Sequence, residues 1–139
     1  MLYIEKALVD DLIALAEPLK EECCGFLFGY ESLEDRIVSK TMVAENVADN
    51  KIDRFEISPM EYLKAERFAD LNNLRLLGIF HSHLDHPAIP SESDRLAAYP
   101  DLSYVIISVT NQKFKDIRSW RLNASTRFEE ELISNRITN

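Results

Sequence analysis

The stretch from Gly78 to Asp94, GIFHSHLDHPAIPSESD, contains every histidine of the chain, namely His81, His83 and His86. Imidazole is a preferred ligand of zinc, whereas hard cations prefer oxygen ligands. A catalytic zinc takes three protein ligands and leaves one position open. Three histidines within six residues therefore indicate a zinc site. The open questions are which histidines bind and what completes the ligand set.

His81 and His83 form the better-placed pair. The apolar run LRLLGIF at 74–80 predicts a buried strand that leads into them. Side chains alternate faces along a strand, so both rings point the same way if the strand continues that far. His86 precedes Pro87, which restricts it to an extended turn and favours a loop position. The alternative for His81 and His83 is a polar strand end, because an isolated His-x-His occurs by chance.

A carboxylate completes the set in this interpretation, and Asp94 is the candidate. Ten residues separate it from His83, enough for the chain to turn and begin a helix. Asp85 is too close to His83 to approach from another direction, and Glu92 leaves the first helical turn elsewhere. However, Ser91 and Asp94 also have the spacing of a capping box, in which the aspartate bonds back to the backbone of the serine. From local sequence alone, the capping role is the stronger interpretation.

A hydrolytic zinc site also needs a base, and Glu22 is the candidate. It stands immediately before the apolar run 24–30, where no structural role for a carboxylate is evident. The alternative is an exposed charge at a strand end, like Glu21 beside it. Cys23 and Cys24 are too close in sequence for an ordinary disulfide, so free thiols and a reducing compartment are expected. As part of an apolar strand, they are more typical of small core residues than of zinc ligands.

The elements that position these side chains alternate along the sequence. Helices are predicted over 6–20, 59–71 and 92–98, with Pro18 late enough to end the first helix rather than lie inside it. The second helix has Ser58 as N-cap, Pro59 at its first position and Glu61 in a capping box. Strands are predicted over 24–30, 36–44, 74–80, 102–109 and 114–122, with a loop at 46–51 and a tail, FEEELI, that fits either state. This alternation predicts an α/β domain with helices packed on a mixed sheet. The histidines would lie at the carboxyl end of a buried strand, a usual place for a site.

Size and charge narrow the classes of function. A chain of 139 residues fits one domain over 1–139, and 46% hydrophobic residues are ordinary for a globular protein. No apolar run could span a bilayer and no signal segment is present, which predicts a cytoplasmic protein with no membrane association. The net charge of −8 argues against nucleic acid as a partner, because a phosphate backbone would be repelled.

Together, these residues resemble the JAMM motif of the MPN (Mov34/PAD-1, or JAB) metalloproteases. That motif is a glutamate, His-x-His, ten further residues and an aspartate, with a serine three positions before the aspartate. The segments EECCGFLFG, RFEISPMEYLKAER and HSHLDHPAIPSESD are all similar to the compact prokaryotic members, so the resemblance covers most of the chain. Each element alone is a weak signal, but their combination in this order is specific. Leu84 departs from the family at a position where proline is common, which affects a loop and not a ligand.

The resemblance implies a fold and a set of roles. The fold would be an α/β/α sandwich around a curved mixed sheet, similar to cytidine deaminases. His81, His83 and Asp94 would bind Zn²⁺. Glu22 would act as the general base towards the attacking water and then pass the proton to the leaving amine, and Ser91 would donate a hydrogen bond to the oxyanion. These roles fit the chemistry, because zinc lowers the pKa of bound water to about 7 and one oxyanion donor contributes roughly 10²–10³-fold.

Family members hydrolyse amide or isopeptide bonds after the C-terminal Gly-Gly of ubiquitin or ubiquitin-like proteins. The resemblance therefore implies a zinc isopeptidase whose partner is a ubiquitin-like or sulfur-carrier protein with a Gly-Gly tail. Such a tail could enter a narrow groove by adding to a sheet edge, with the segment 45–57 along it. A catalytically inactive MPN scaffold is disfavoured by the complete motif. A deaminase-like zinc hydrolase acting on small molecules is disfavoured because the Pro-Cys-x-x-Cys pattern is absent.

Overall fold

A computed structural model describes residues 1–135, which form three helices and eight strands. The helices are α1 (Lys6–Ala16), α2 (Pro59–Leu71) and α3 (Glu92–Ala97). The strands are β1 (Leu2–Ile4), β2 (Cys24–Ser32), β3 (Asp35–Ala44), β4 (Arg75–Leu84), β5 (Ser103–Thr110), β6 (Lys113–Leu122), β7 (Phe128–Glu131) and β8 (Ile133–Ser134). No helix among these residues is long and apolar enough to cross a bilayer.

All eight strands form one mixed sheet in the order β7-β6-β5-β4-β2-β3-β1-β8. The pairs β4–β5, β1–β3 and β1–β8 are parallel, and the others are antiparallel. The two edge strands, β7 and β8, are separated in sequence by Leu132 alone. The Leu2 amide also donates to the Leu132 carbonyl at 2.9 Å. The opposite edges of the sheet therefore lie close together, and the sheet is curved until it nearly closes.

The helices α1 and α2 cover opposite faces of this sheet. One core cluster joins α1, through Leu12 and Ala16, to buried side chains such as Leu27 and Val105. The other joins α2, through Ala65 and Ala69, to a separate set that includes Phe26, Phe28 and Ile79. The arrangement is an α/β/α sandwich with a curved mixed sheet, as the family resemblance implied.

The predicted elements are present, with differences at their ends. The first helix ends at Ala16, just ahead of Pro18 as expected, because the proline has no N–H to continue the helical hydrogen bonds. The strand predicted at 74–80 continues to Leu84. The undecided tail forms β7 and β8, and β1 was not predicted. In α2, the Ser58 hydroxyl accepts from the Glu61 amide, as expected of an N-cap.

A buried arginine links three strands of the sheet through side-chain hydrogen bonds. The guanidinium of Arg36, on β3, donates to the Leu77 carbonyl at 3.0 Å and the Ser103 hydroxyl at 2.9 Å. It also donates to the Asp101 carbonyl at 2.7 Å. One side chain thus links β3 to β4 and to the start of β5.

Candidate metal centre

The extension of β4 positions the two histidines of the His-x-His pair. Because the strand runs to Leu84, His81 and His83 lie on one face of the sheet. Both side chains are buried, and their Nε2 atoms are 3.2 Å apart. The pairing of β4 with β2 and β5 on either side holds this strand in the middle of the sheet.

Asp94 approaches the same point from the first turn of α3. Its Oδ2 atom lies 3.3 Å from His81 Nε2 and 3.0 Å from His83 Nε2. The capping box is also formed, since the Ser91 amide donates to the same Oδ2 and the Ser91 hydroxyl accepts from the Asp94 amide. The two interpretations of Asp94 are therefore compatible. Capping fixes the carboxylate in the orientation that faces the histidines.

The three atoms have the spacing of a tetrahedral ligand set. Ligand atoms at about 2.0–2.1 Å from a tetrahedral zinc lie roughly 3.3 Å from one another. The three distances between His81 Nε2, His83 Nε2 and Asp94 Oδ2 range from 3.0 to 3.3 Å. Two nitrogens and one oxygen also match the ligand types that zinc accepts. The residues present therefore fit a zinc ion with one position left open.

Contacts behind the two rings determine how they face the centre. His83 Nδ1 donates to the Pro87 carbonyl at 2.8 Å, so a neutral His83 carries its lone pair on Nε2. That lone pair faces an oxygen of Asp94, and two acceptors this close require a proton or a cation near them. The His81 ring is stacked on Phe55, with ring centroids 4.3 Å apart.

The electrostatics of the triad follow from burial and mutual contact. Burial lowers the pKa of His81. Burial acts in the same direction on His83, but Asp94, the Pro87 carbonyl and Glu22 outweigh it and raise the pKa of His83. Burial would raise the pKa of Asp94, yet the hydrogen bonds with the two histidines hold that pKa well below its usual range. Asp94 is therefore an anion, as a metal ligand must be.

The loop between β4 and α3 is tied to the neighbouring strands. The Ser108 hydroxyl, on β5, donates to the His86 carbonyl at 2.6 Å, and the Trp120 indole N–H, on β6, donates to the Ala88 carbonyl at 3.0 Å. With the bond from His83 to Pro87, three successive carbonyls of this loop are held. The loop therefore fixes the position at which α3 begins.

Glu22 is buried, with 3% of its surface exposed, unlike its exposed neighbour Glu21. Two hydrogen bonds hold its backbone in place. Its amide donates to the Lys51 carbonyl at 2.7 Å, and its carbonyl accepts from Asn46 Nδ2 at 2.9 Å. Its Oε1 atom is buried and has no hydrogen-bond partner within residues 1–135. Burial raises the pKa of the Glu22 carboxyl to about 8.

Two cavities adjoin the triad on different sides. One, of about 550 Å³, is lined by Glu22, His83 and Ser91 together with loop residues. The other, of about 430 Å³, is lined by Asp94 and by apolar side chains such as Phe55 and Tyr99. The base candidate, the oxyanion-donor candidate and one histidine thus share the first cavity.

The other candidates considered in the sequence lie outside the cluster. His86 is in the loop, with Nε2 3.8 Å from Asp53 Oδ1. Asp85 accepts from the Asn111 amide, and Glu92 pairs with Arg95. Cys23 and Cys24 are free and buried, and burial raises the pKa of both thiols.

Several contact residues were missed in the sequence. The rings and loops of the site are held by four such residues, Phe55, Asn46, Ser108 and Trp120. Three of them, Phe55, Ser108 and Trp120, stand in no sequence pattern that marks them. Only Asn46 gave a signal, as an amide within a predicted loop, where such side chains commonly bond to backbone groups.

The fold and the site define an α/β/α protein with a His–His–Asp cluster at the carboxyl end of a central strand. Residues 5–123 match the family described as prokaryotic homologs of the JAB domain, and the chain belongs to this family. The predicted family resemblance is therefore confirmed.

Named relatives show the same relationship. The Desampylase of Pyrococcus furiosus is 36% identical over 111 residues, which are 78% of this chain and 72% of that protein. The CysO-cysteine peptidase of Mycobacterium tuberculosis is 30% identical over 124 residues, 88% of this chain and 83% of that protein. A solution structure of a protein from Desulfitobacterium hafniense superposes with a TM-score of 0.83 at 33% identity, covering 96% of this chain and 92% of the other.

Proposed function

We propose that the protein is a zinc-dependent isopeptidase that cleaves an amide bond at the C-terminal Gly-Gly tail of a ubiquitin-like or sulfur-carrier protein. One observation carries the proposal. The carboxylate of Glu22, whose buried Oε1 has no hydrogen-bond partner among residues 1–135, lines the same cavity as His83 of the His–His–Asp cluster. Membership of the JAB family and the peptidase name of a relative support a hydrolase.

His81, His83 and Asp94 would hold the zinc through Nε2, Nε2 and Oδ2. When bound, the ion supplies a Lewis acid that activates water and polarises the scissile carbonyl. The buried triad excludes solvent from the ligand atoms, and the capping bonds from Ser91 keep the carboxylate in place. The free thiols of Cys23 and Cys24 fit a reducing compartment, and we place the reaction in the cytoplasm.

Glu22 is the proton carrier in this proposal. Its carboxylate takes a proton from the attacking water and then delivers it to the nitrogen of the leaving amine. Burial raises the pKa of this carboxyl above its usual value, so the group can hold a proton between the two steps. The hydrogen bonds from its backbone to Lys51 and Asn46 limit the positions that the carboxylate can reach.

Ser91 would stabilise the developing negative charge on the carbonyl oxygen. Its Oγ accepts a hydrogen bond from the Asp94 amide, so the hydroxyl hydrogen remains available to donate. The side chain lines the same cavity as Glu22. The acyl part of the substrate would then lie along the second cavity, where Phe55, Glu56 and Ile57 of the segment 45–57 form one wall.

The experiment compares the unchanged protein with Glu22→Gln on a Gly-Gly-ended ubiquitin-like protein conjugated to a lysine. Mass spectrometry should detect the released carrier with the unchanged protein, and about 10²–10⁴-fold slower release with the variant. The zinc content of the two should be equal, because Glu22 is not a ligand in this proposal. Full activity of Glu22→Gln would remove Glu22 as the base.

A further inference from the structure

We propose that the cavity beside Glu22 selects against a leaving group with a carboxylate next to its amine. A lysine side chain of a conjugated protein would then be preferred over a single amino acid, such as cysteine, at the end of the tail. This inference rests on the proposed function and concerns which conjugates are cleaved.

The leaving group belongs in this cavity because of the proton it must receive. Glu22 can protonate the departing nitrogen only when that nitrogen is within hydrogen-bond reach, directly or through one water. Glu22 lines the 550 Å³ cavity and a smaller one of about 220 Å³, but only the larger of these also contains a member of the triad, His83. The 430 Å³ cavity on the Asp94 side is formed by other residues. The amine and the atoms attached to it therefore occupy the first cavity, and the tail occupies the second.

The charges around this cavity are unsuited to a carboxylate. Two of its lining residues, Glu22 and Asp53, are acidic, and no lysine or arginine lines it among the described residues. His86 is the remaining group that can carry a positive charge, apart from His83 of the triad. Its Nε2 atom already faces Asp53 Oδ1 at 3.8 Å.

The remaining walls suit a hydrocarbon chain. Pro87, Ile89 and Pro90 line the same cavity. A lysine side chain places four methylene groups between its amine and its backbone, and such stems pack well along apolar surfaces. A leaving cysteine carries its carboxylate on the carbon attached to the amine. The negative charge would therefore lie beside Glu22 with no lysine or arginine of the cavity wall to pair with it.

The test uses three substrates made from one Gly-Gly-ended carrier and the zinc-loaded enzyme. The terminal glycine is joined to a lysine ε-amine of a short peptide, to cysteine with a free carboxylate, or to cysteine amide. We expect the cysteine amide to be cleaved about tenfold faster than free-carboxylate cysteine, because only the charge differs. The lysine conjugate should also be cleaved faster than free-carboxylate cysteine.

Variants separate the local charge from a general effect. Asp53→Asn should narrow the ratio between the two cysteine substrates, because it removes one negative charge from the wall. The matched control is Asp70→Asn, an exposed aspartate near the end of α2, which should leave the ratio unchanged.

The outcomes distinguish this inference from the proposed function. Equal or faster cleavage of free-carboxylate cysteine would overturn the charge inference and leave the isopeptidase proposal standing. Cleavage of none of the three substrates would overturn both.

Discussion

A single oxygen, Oδ2 of Asp94, meets the amide of Ser91 and the Nε2 atoms of both histidines. The sequence indicated two roles for this aspartate, cap and ligand, and ranked the cap first; the structure forms the cap and also brings both histidines to the same oxygen. Local spacing describes the contacts within α3, whereas the histidines reach this oxygen only through the fold. The burial of Glu22 was hidden for the same reason, since its neighbour Glu21 has the same charge and is exposed.

Ser91 gives a prediction at this scale, because it both caps α3 and faces the cavity. Ser91→Ala should slow cleavage roughly 10²–10³-fold, through loss of the oxyanion donor. The lost cap should lower the free energy of unfolding by only about 1 kcal/mol. Ser91→Thr, which keeps the hydroxyl, should retain most of the cleavage rate and most of the stability.

Kinetics and chemical denaturation on the same preparations separate the two roles. If Ser91→Ala loses stability but keeps its rate of cleavage, the serine is a cap and not an oxyanion donor.

Two loops between the helices and strands hold the site residues in position. The segment between β3 and α2 is organised by Asn46, whose amide bonds to the carbonyls of Glu22 and Arg54 and accepts from two backbone amides. The loop between β4 and α3 is anchored by Ser108 and Trp120. The sequence predicted most of the helices and strands that flank these loops, because hydrophobic periodicity and caps are local. The loop contacts join residues far apart in sequence, so no local pattern reveals them.

Trp120 provides the prediction for the loop that carries Pro87. Trp120→Phe keeps a ring in place but removes the N–H that holds the Ala88 carbonyl. We expect zinc affinity to fall about threefold to tenfold, in keeping with the loss of one neutral hydrogen bond near the ligands.

Competition with a chelating dye would measure the zinc affinity. Tyr30→Phe, on an exposed ring at the far end of β2, serves as the control and should leave the affinity unchanged. An unchanged affinity in Trp120→Phe would show that this bond does not position the metal loop.

At the scale of the molecule, the mixed α/β class and the burial of the histidine strand were predictable from the residues, whereas the near-closure of the sheet was not. Closure depends on β1 and β8, which have three and two residues. Segments this short carry too little pattern to predict a strand. The tail, which the sequence left undecided, forms β7 and β8 by pairing with β6 and β1 at the two edges of the sheet.

Arg36 provides a prediction about the stability of this closed arrangement. Arg36→Met keeps a similar volume but leaves the Leu77 carbonyl, the Asp101 carbonyl and the Ser103 hydroxyl without their donor. We expect the free energy of unfolding to fall by about 2–4 kcal/mol.

Arg75→Met is the matched control for the denaturation experiment. Arg75 pairs with Glu31 at 3.5 Å, and its side chain is 70% exposed. Such a surface pair contributes about 0–1 kcal/mol. Equal losses in the two variants would contradict the role given to the buried guanidinium.

The central claim is that His81, His83 and Asp94 hold one zinc while His86 does not. The most direct measurement is elemental analysis after equilibration with zinc and removal of the excess. We predict one zinc per chain for the unchanged protein and for His86→Ala, and far less for His83→Ala with its fold confirmed by circular dichroism. An unchanged protein that retains no zinc, or a His86→Ala variant that loses it, would contradict the claim.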